Sequence, residues 1–202
     1  MEELFREMEV FAAANRVPII NERGRQAFLQ VVSEAKPRQV LEIGTAIGYS
    51  ALLIANMFPN VKITTLELSE ERITVAKSYI ERSPFAANIN IIAGDAAESL
   101  LQLAAKGSKF DFVFIDAAKG QYPDYFCKIQ PMLTPDACVL ADNVLFRGYV
   151  RGKEKTPRRY RTIVKRLREY IDMVSKLPFT TKILENGDGL AVTRRIFDAE
   201  KA

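Results

Sequence analysis

Acids and amides recur in this chain directly after short apolar runs: Glu42, Glu67, Asp95, Asp116 and the pair Asp142-Asn143, with Lys119 three residues beyond Asp116. Asp116, Asp142 and Asn143 are hard oxygen donors, and Mg2+ favours one or two carboxylates completed by water and substrate oxygens. A lysine reaching the same cavity would join the metal in lowering the pKa of a substrate hydroxyl and steadying the resulting oxyanion. The bland reading of these residues is solvated loop acids and a surface lysine. The two readings part on whether the segments carrying Asp116 and Asp142 are neighbours.

The run Leu41-Glu42-Ile43-Gly44-Thr45-Ala46-Ile47-Gly48-Tyr49-Ser50 reads as a strand, a tight glycine turn and a helix start. Gly44 and Gly48 can take backbone angles closed to other residues and let a nucleotide-like ligand approach the main chain. Glu67 stands 23 residues after Gly44, near the distance at which a carboxylate after a second strand accepts hydrogen bonds from ribose hydroxyls. Asp95-Ala96 supplies a further polar strand end. The dinucleotide fingerprint is absent, because only Thr45-Ala46-Ile47 separates the two glycines and no third glycine follows. A methionine-derived adenosyl cofactor carries no pyrophosphate and does not need that glycine, so the pattern favours it over NAD.

The elements that must position these residues follow from periodicity. Leu4 to Ala14 and Gly24 to Ala35 carry apolar residues at helical intervals, and Pro37 closes the second. Strands are expected at Gln39–Ile43, Val61–Leu68, Ile89–Ala93, Phe110–Ile115 and Ala137–Ala141. Between them come helices at Tyr49–Phe58, Ser69–Arg82, Ala96–Ala105 and Tyr122–Gln130. Strands separated by helices imply right-handed crossovers and a parallel sheet, so the fold class is α/β. A basic helix is expected at Arg159–Ser175. Phe179–Glu185 and Leu190–Ile196 alternate around Asn186-Gly187-Asp188-Gly189, a hairpin signal that predicts an antiparallel strand at the end of the sheet.

At 202 residues, with 48% hydrophobic and 27% charged residues, the chain suits one domain, 1–202, with helices inside residues 1–36 preceding the core. No histidine is present, which removes the usual zinc sites and histidine triads. A base must then be Lys, Asp, Glu, Tyr or an oxygen activated by a metal. Cys127 and Cys138 are read as incidental thiols of a reducing cytoplasm. The acidic start Met1-Glu2-Glu3 and the lack of any apolar run near the roughly 18 residues of a membrane span predict neither export nor insertion.

The net charge of +4 is unevenly spread, since Arg147 to Arg168 carries ten basic residues against Glu154 alone. Such a run suits a polyanion, whose phosphates release counterions when neutralised, and Tyr149 and Tyr160 could stack on an unpaired base. A solvated helix face would show the same composition.

Four stretches in order, E-I-G-T-A-I-G-Y-S from Glu42, F-I-D-A-A-K-G-Q-Y from Phe114, A-D-N-V-L-F-R-G from Ala141 and G-D-G-L-A-V from Gly187, resemble the metal-dependent class I O-methyltransferases that include catechol and caffeoyl-CoA enzymes. The resemblance covers most of Val17 to Ile196. It implies a Rossmann-like three-layer sandwich and S-adenosylmethionine as donor. By that resemblance Ile20, Glu42, Gly44, Ser50, Glu67, Asp95, Ala96 and Asp116 would bind the donor. Asp116, Asp142 and Asn143 would hold Mg2+, and Lys119 with Asp116 would carry the catalysis. Within the group, V-P-I-I at Val17, D-A-A-K-G-Q-Y-P at Asp116 and D-N-V-L-F-R-G-Y-V at Asp142 are most similar to bacterial tRNA 5-hydroxyuridine methyltransferases. The implied substrate is the anticodon loop of tRNA and the implied assembly a homodimer through the first helices. A small catechol-like phenol as acceptor and a noncatalytic RNA-binding module are the alternatives. The substrate-orienting acid that catechol enzymes carry late in the chain has Asp188 as its nearest counterpart.

Overall fold

A computed structural model describes residues 1–152, 155–185 and 187–196, with Arg23 described in its backbone only; Lys153 and Glu154 of the basic run and Asn186 of the hairpin turn lie outside it. Helices α1 (Glu2–Asn15) and α2 (Glu22–Ala35) precede β1 (Gln39–Ile43), α3 (Tyr49–Met57), β2 (Lys62–Glu67), α4 (Glu70–Glu81) and β3 (Ile89–Ala93). There follow α5 (Ala96–Ala105), β4 (Phe110–Ile115), α6 (Tyr122–Ile129), β5 (Leu133–Ala141), α7 (Arg161–Val174), β6 (Phe179–Leu184) and β7 (Leu190–Arg195). Caps fix several starts: Asn21 accepts from the Gly24 amide, Ser69 from Arg72, and Asp95 from Ala97 and Glu98.

Among the described residues seven strands form one sheet in the order β3-β2-β1-β4-β5-β7-β6. The first five are parallel, and β7 runs antiparallel to both β5 and β6. The expected antiparallel strand is therefore present, but it is inserted one place in from the edge, and β6 forms the edge itself. Because β7 begins where β5 ends, with Ala141 opposite Ala191, the β6–β7 turn is delivered to the carboxyl ends of the parallel strands.

Central strands are buried on both faces, and alternate residues face opposite layers. Val40, Phe112, Phe114 and Leu140 join a core with α1 to α4, where the Phe28 and Phe114 rings lie 4.9 Å apart. Leu41, Ile43, Val113, Ile115 and Val139 join a second core with α5, α6 and α7. The result is the expected three-layer sandwich. β5 is longer than its periodicity suggests, starting at Leu133 and passing through Pro135; a register irregularity between Phe110 and Phe112 absorbs the additional residues.

Candidate active site at the carboxyl ends of the strands

Ligands of open α/β sheets bind beyond the strands' carboxyl ends where the strand order reverses, which here is between β1 and β4. The ladders put four chemical positions at one level. Ile43 pairs with Leu66 and Ile115, and Ile115 pairs with Ala141, so Glu67, Gly44, Asp116 and Asp142 follow one another across adjacent strands. The rows continue past the strands: Gly44 N donates to Leu66 O, Asp116 N to Ile43 O and Asp142 N to Ile115 O, each at 3.0 Å. Gly44 has φ +106°, and a Cβ there would sit 2.2 Å from the Asp116 carbonyl oxygen, so only glycine lets these two strand ends meet.

These ends open into a cavity of about 430 Å3. Ile20, Gly44, Ser50, Glu67, Asp95, Ala96, Asp116, Lys119, Asp142 and Asn143 all line it. Glu42, expected among the donor contacts, is not one of the lining residues. It is fully buried behind the wall, where Ser50 Oγ donates to one carboxylate oxygen and Thr65 Oγ1 to the other. With the Thr65 proton so used, the Thr45 hydroxyl donates to Thr65 at 2.6 Å. Burial pushes the Glu42 carboxyl up to about 7, against the lowering effect of the Ser50 and Thr65 hydroxyls; Asp116 and Glu67 add to the rise.

On the donor side, Glu67 Oε2 accepts from the Ala46 amide at 2.9 Å, and Oε1 accepts from Leu68 and Ser69, each at 3.0 Å. The carboxylate is thus locked by three backbone donors while keeping lone pairs for further hydroxyls. Asp95 Oδ1 is occupied by the α5 amides, leaving Oδ2 for the cavity. Sequence reasoning missed the α1–α2 connector Pro18–Asn21 beyond Ile20, and also Tyr49, Gln121 and Tyr125, all on the wall. Tyr49, Pro18, Ile19 and Gln121 stand inside quoted motifs and were open to notice; Asn21 and Tyr125 carry no local signal.

On the acceptor side, Lys119 Nζ lies 3.5 Å from Asp116 Oδ1. The Tyr122 hydroxyl sits 3.2 Å from Ile115 O and 3.0 Å from Asp142 O, tying the ends of β4 and β5 together. Asn143 adopts the left-handed region at φ +56°, and its amide donates to Asp142 Oδ1 at 2.6 Å. Burial first, then the charge of Asp116, pushes the Asp142 carboxyl up to about 7; the Asn143 amide and Lys119 oppose this and Asp188 adds to it. Among the described residues no three His, Cys, Asp or Glu side chains cluster; what this wall offers a cation is the Asp116 and Asp142 carboxylates and the Asn143 amide. Half-buried, mutually repelling acids beside a neutral oxygen donor fit a hard divalent cation such as Mg2+. Asp188 also lines the cavity, and its Oδ1 accepts from the Arg147 amide at 3.0 Å, so it pins the loop after β5 as well as facing the site.

That loop leads into the basic run, part of which the protein uses internally. Arg168 donates to the carbonyls of Val150 and Tyr149, Arg166 to Gly120 O at 3.0 Å and to Glu169, and Arg151 pairs with Glu185 at 2.8 Å. Tyr149 and Tyr160 pack with Phe146, and the guanidinium groups of Arg147 and Arg159 lie 5.7 and 4.7 Å from the centre of the Tyr160 ring. Arg147, Lys155, Arg158, Arg159, Arg161 and Lys165 remain exposed. No helix among the described residues is long and apolar enough to cross a membrane.

A catechol O-methyltransferase from Niastella koreensis is 34% identical over 132 residues, which is 64% of this chain and 60% of that relative's length. A caffeoyl-CoA O-methyltransferase from Stellaria longipes is 27% identical over 175 residues, 83% of this chain and 72% of that protein. Among solved structures, a Staphylococcus aureus protein provisionally assigned as a caffeoyl-CoA O-methyltransferase superposes with a TM-score of 0.84 at 32% identity, covering 95% of this chain and 91% of that one. A Bacillus cereus O-methyltransferase solved in complex with SAH gives 0.83 at 27% identity, over 96% and 90%. The family model described as O-methyltransferase matches residues 1–196, a span that holds every wall residue of the cavity, and the chain belongs to that family.

Proposed function

We propose that the protein transfers a methyl group from S-adenosylmethionine to the 5-hydroxyl of a wobble-position uridine in tRNA, forming 5-methoxyuridine. The observation that carries methyl transfer is the meeting of Glu67, the Gly44 turn, Asp116, Lys119, Asp142 and Asn143 on one cavity. Support for tRNA comes from the D-A-A-K-G-Q-Y-P and D-N-V-L-F-R-G-Y-V stretches and from exposed cations beside the loop that Asp188 pins.

In this reading Glu67 and Asp95 hold the ribose and adenine end of the donor, and Ser50 and Asp116 its amino-acid end. The donor supplies a methyl carbon on a positive sulfonium, which becomes a neutral thioether when the carbon–sulfur bond breaks and the carbon–oxygen bond forms. Asp116, Asp142 and Asn143 would hold Mg2+, whose chemistry when bound is to make the acceptor hydroxyl more acidic. Lys119 stands 3.5 Å from Asp116, where the lysine's amine form would take the hydroxyl proton and pass it to bulk water, and the walls align the two reactants. No covalent intermediate with the protein is required.

The test is nucleoside mass spectrometry of hydroxyuridine-bearing tRNA incubated with the protein, S-adenosylmethionine and Mg2+, with and without chelator. The expected result is 5-methoxyuridine that disappears with EDTA and whose formation weakens steeply with salt. Transfer to small catechols alone would replace the tRNA assignment with the phenol reading.

A further inference from the structure

Tyr49 opens α3 beside Ser50 and is one of the residues that line the cavity. Its hydroxyl points away into a closed three-way junction: it donates to Glu9 Oε1 at 2.5 Å and accepts from Arg25 Nη1 at 2.7 Å, while the same nitrogen reaches Glu9 Oε1 at 2.5 Å. Glu9 belongs to α1 and Arg25 to α2, and the Phe5 ring of α1 meets Tyr49 edge-on at 5.7 Å. The chain between these two helices is the connector whose Pro18, Ile19, Ile20 and Asn21 face the cavity. Both arms that carry the connector are therefore fastened to one wall residue of the site they cover.

From this juxtaposition we infer that Arg25 is a positioning residue for the methyl donor: acting through Tyr49 and Glu9, it seats the Pro18–Asn21 connector against the bound donor without touching it. The inference rests on the donor reading given above and deepens it. A packed helix pair would hold its own fold through Met8, Phe28 and Val32, which are fully buried. The junction's contribution is then felt at the connector, and so in donor affinity, more than in global stability.

Titration calorimetry with S-adenosylhomocysteine on the full chain tests this, comparing wild type, Arg25→Gln, Tyr49→Phe and the double variant, with Tm recorded for each. A hydrogen bond to a charged group supports an expected loss of about ten-fold in affinity for each single variant. The double variant should lose no more than the weaker-binding single one, because both break one junction. In turnover assays Arg25→Gln should raise the donor KM by the same factor and leave kcat and the acceptor KM in place, a split that a merely destabilised fold would not give. Tyr49→Phe keeps the ring and its packing, so it separates the junction from folding. Affinities within two-fold of wild type in all three variants overturn the inference and leave the donor reading standing. Failure of wild type itself to bind overturns both.

Discussion

The two halves of the cavity are built by different means. The donor half is made from consecutive parallel strands and their own backbone: ladder pairs place Gly44 and Glu67, and three main-chain amides lock the Glu67 carboxylate. The acceptor half is assembled from distant pieces. Asn143, Phe146 and Arg147 take positive φ, the loop they form is anchored by Asp188 some forty residues later, and an antiparallel strand brings that residue into place. Cofactor recognition of this kind can stay constant while acceptor recognition is changed by editing one loop and one turn.

Breaking the acceptor half alone should give the largest effect on turnover. Asp142→Ala removes a carboxylate from the donor set, and methyl transfer should fall about a thousand-fold, ~4 kcal/mol, while S-adenosylhomocysteine affinity stays within about two-fold. Equal loss of binding would show that the halves are not separable.

Gly44→Ala breaks both halves together. Its Cβ would strike the Asp116 carbonyl at 2.2 Å, so β1 and β4 must part at their ends. A loss of about 3 kcal/mol in denaturant unfolding is expected, with donor binding lost in the surviving fold.

The hidden carboxyl behind the donor wall gives a pH signature. Glu42 titrates at about 7 in the folded protein against an ordinary 4.5, so the folded state holds its proton more tightly than the unfolded one. Its contribution is fully present below about 4.5 and is lost as the pH rises through 7, amounting to roughly 3 kcal/mol. In Glu42→Gln the amide cannot ionise. The stability difference between wild type and variant should therefore slope between pH 4.5 and 7 and flatten above, and a flat difference throughout would contradict the burial argument.

The smallest effect is expected at Asp188. Asp188→Ala frees the Arg147 amide, and turnover should drop about five-fold, ~1 kcal/mol, with donor binding intact. Asp188→Asn keeps an acceptor for that amide and should recover most of the loss if anchoring is what matters. No recovery would assign the effect to the charge facing the site.

The same contrast explains what the sequence could reveal. β1, β3, β4 and α5 start and end at the expected residues, because apolar runs bounded by Gly44, Gly94, Asp95 and Asp116 are local signals. The convergence of Asp116, Asp142 and Asn143 follows from strand adjacency, which the alternation of strands and helices already suggests. β5 begins at Leu133, ahead of the expected Ala137, and only pairing with β4 shows that the ladder bulges around Pro135. The motif sets Glu42 among the donor contacts, but it carries no sign that the carboxyl is fully buried and held by Ser50 and Thr65, because those partners come from α3 and β2. The junction of Glu9, Arg25 and Tyr49 joins positions 16 to 40 residues apart on three helices, a relation with no periodic trace.

The threading of β7 between β5 and β6 also sets an order of construction during synthesis. Every wall residue of the donor half lies before Tyr125, but the turn bearing Asp188 exists only when the last described strand can slot between two others. The acceptor half of the cavity is therefore the last part of its wall that the growing chain can complete.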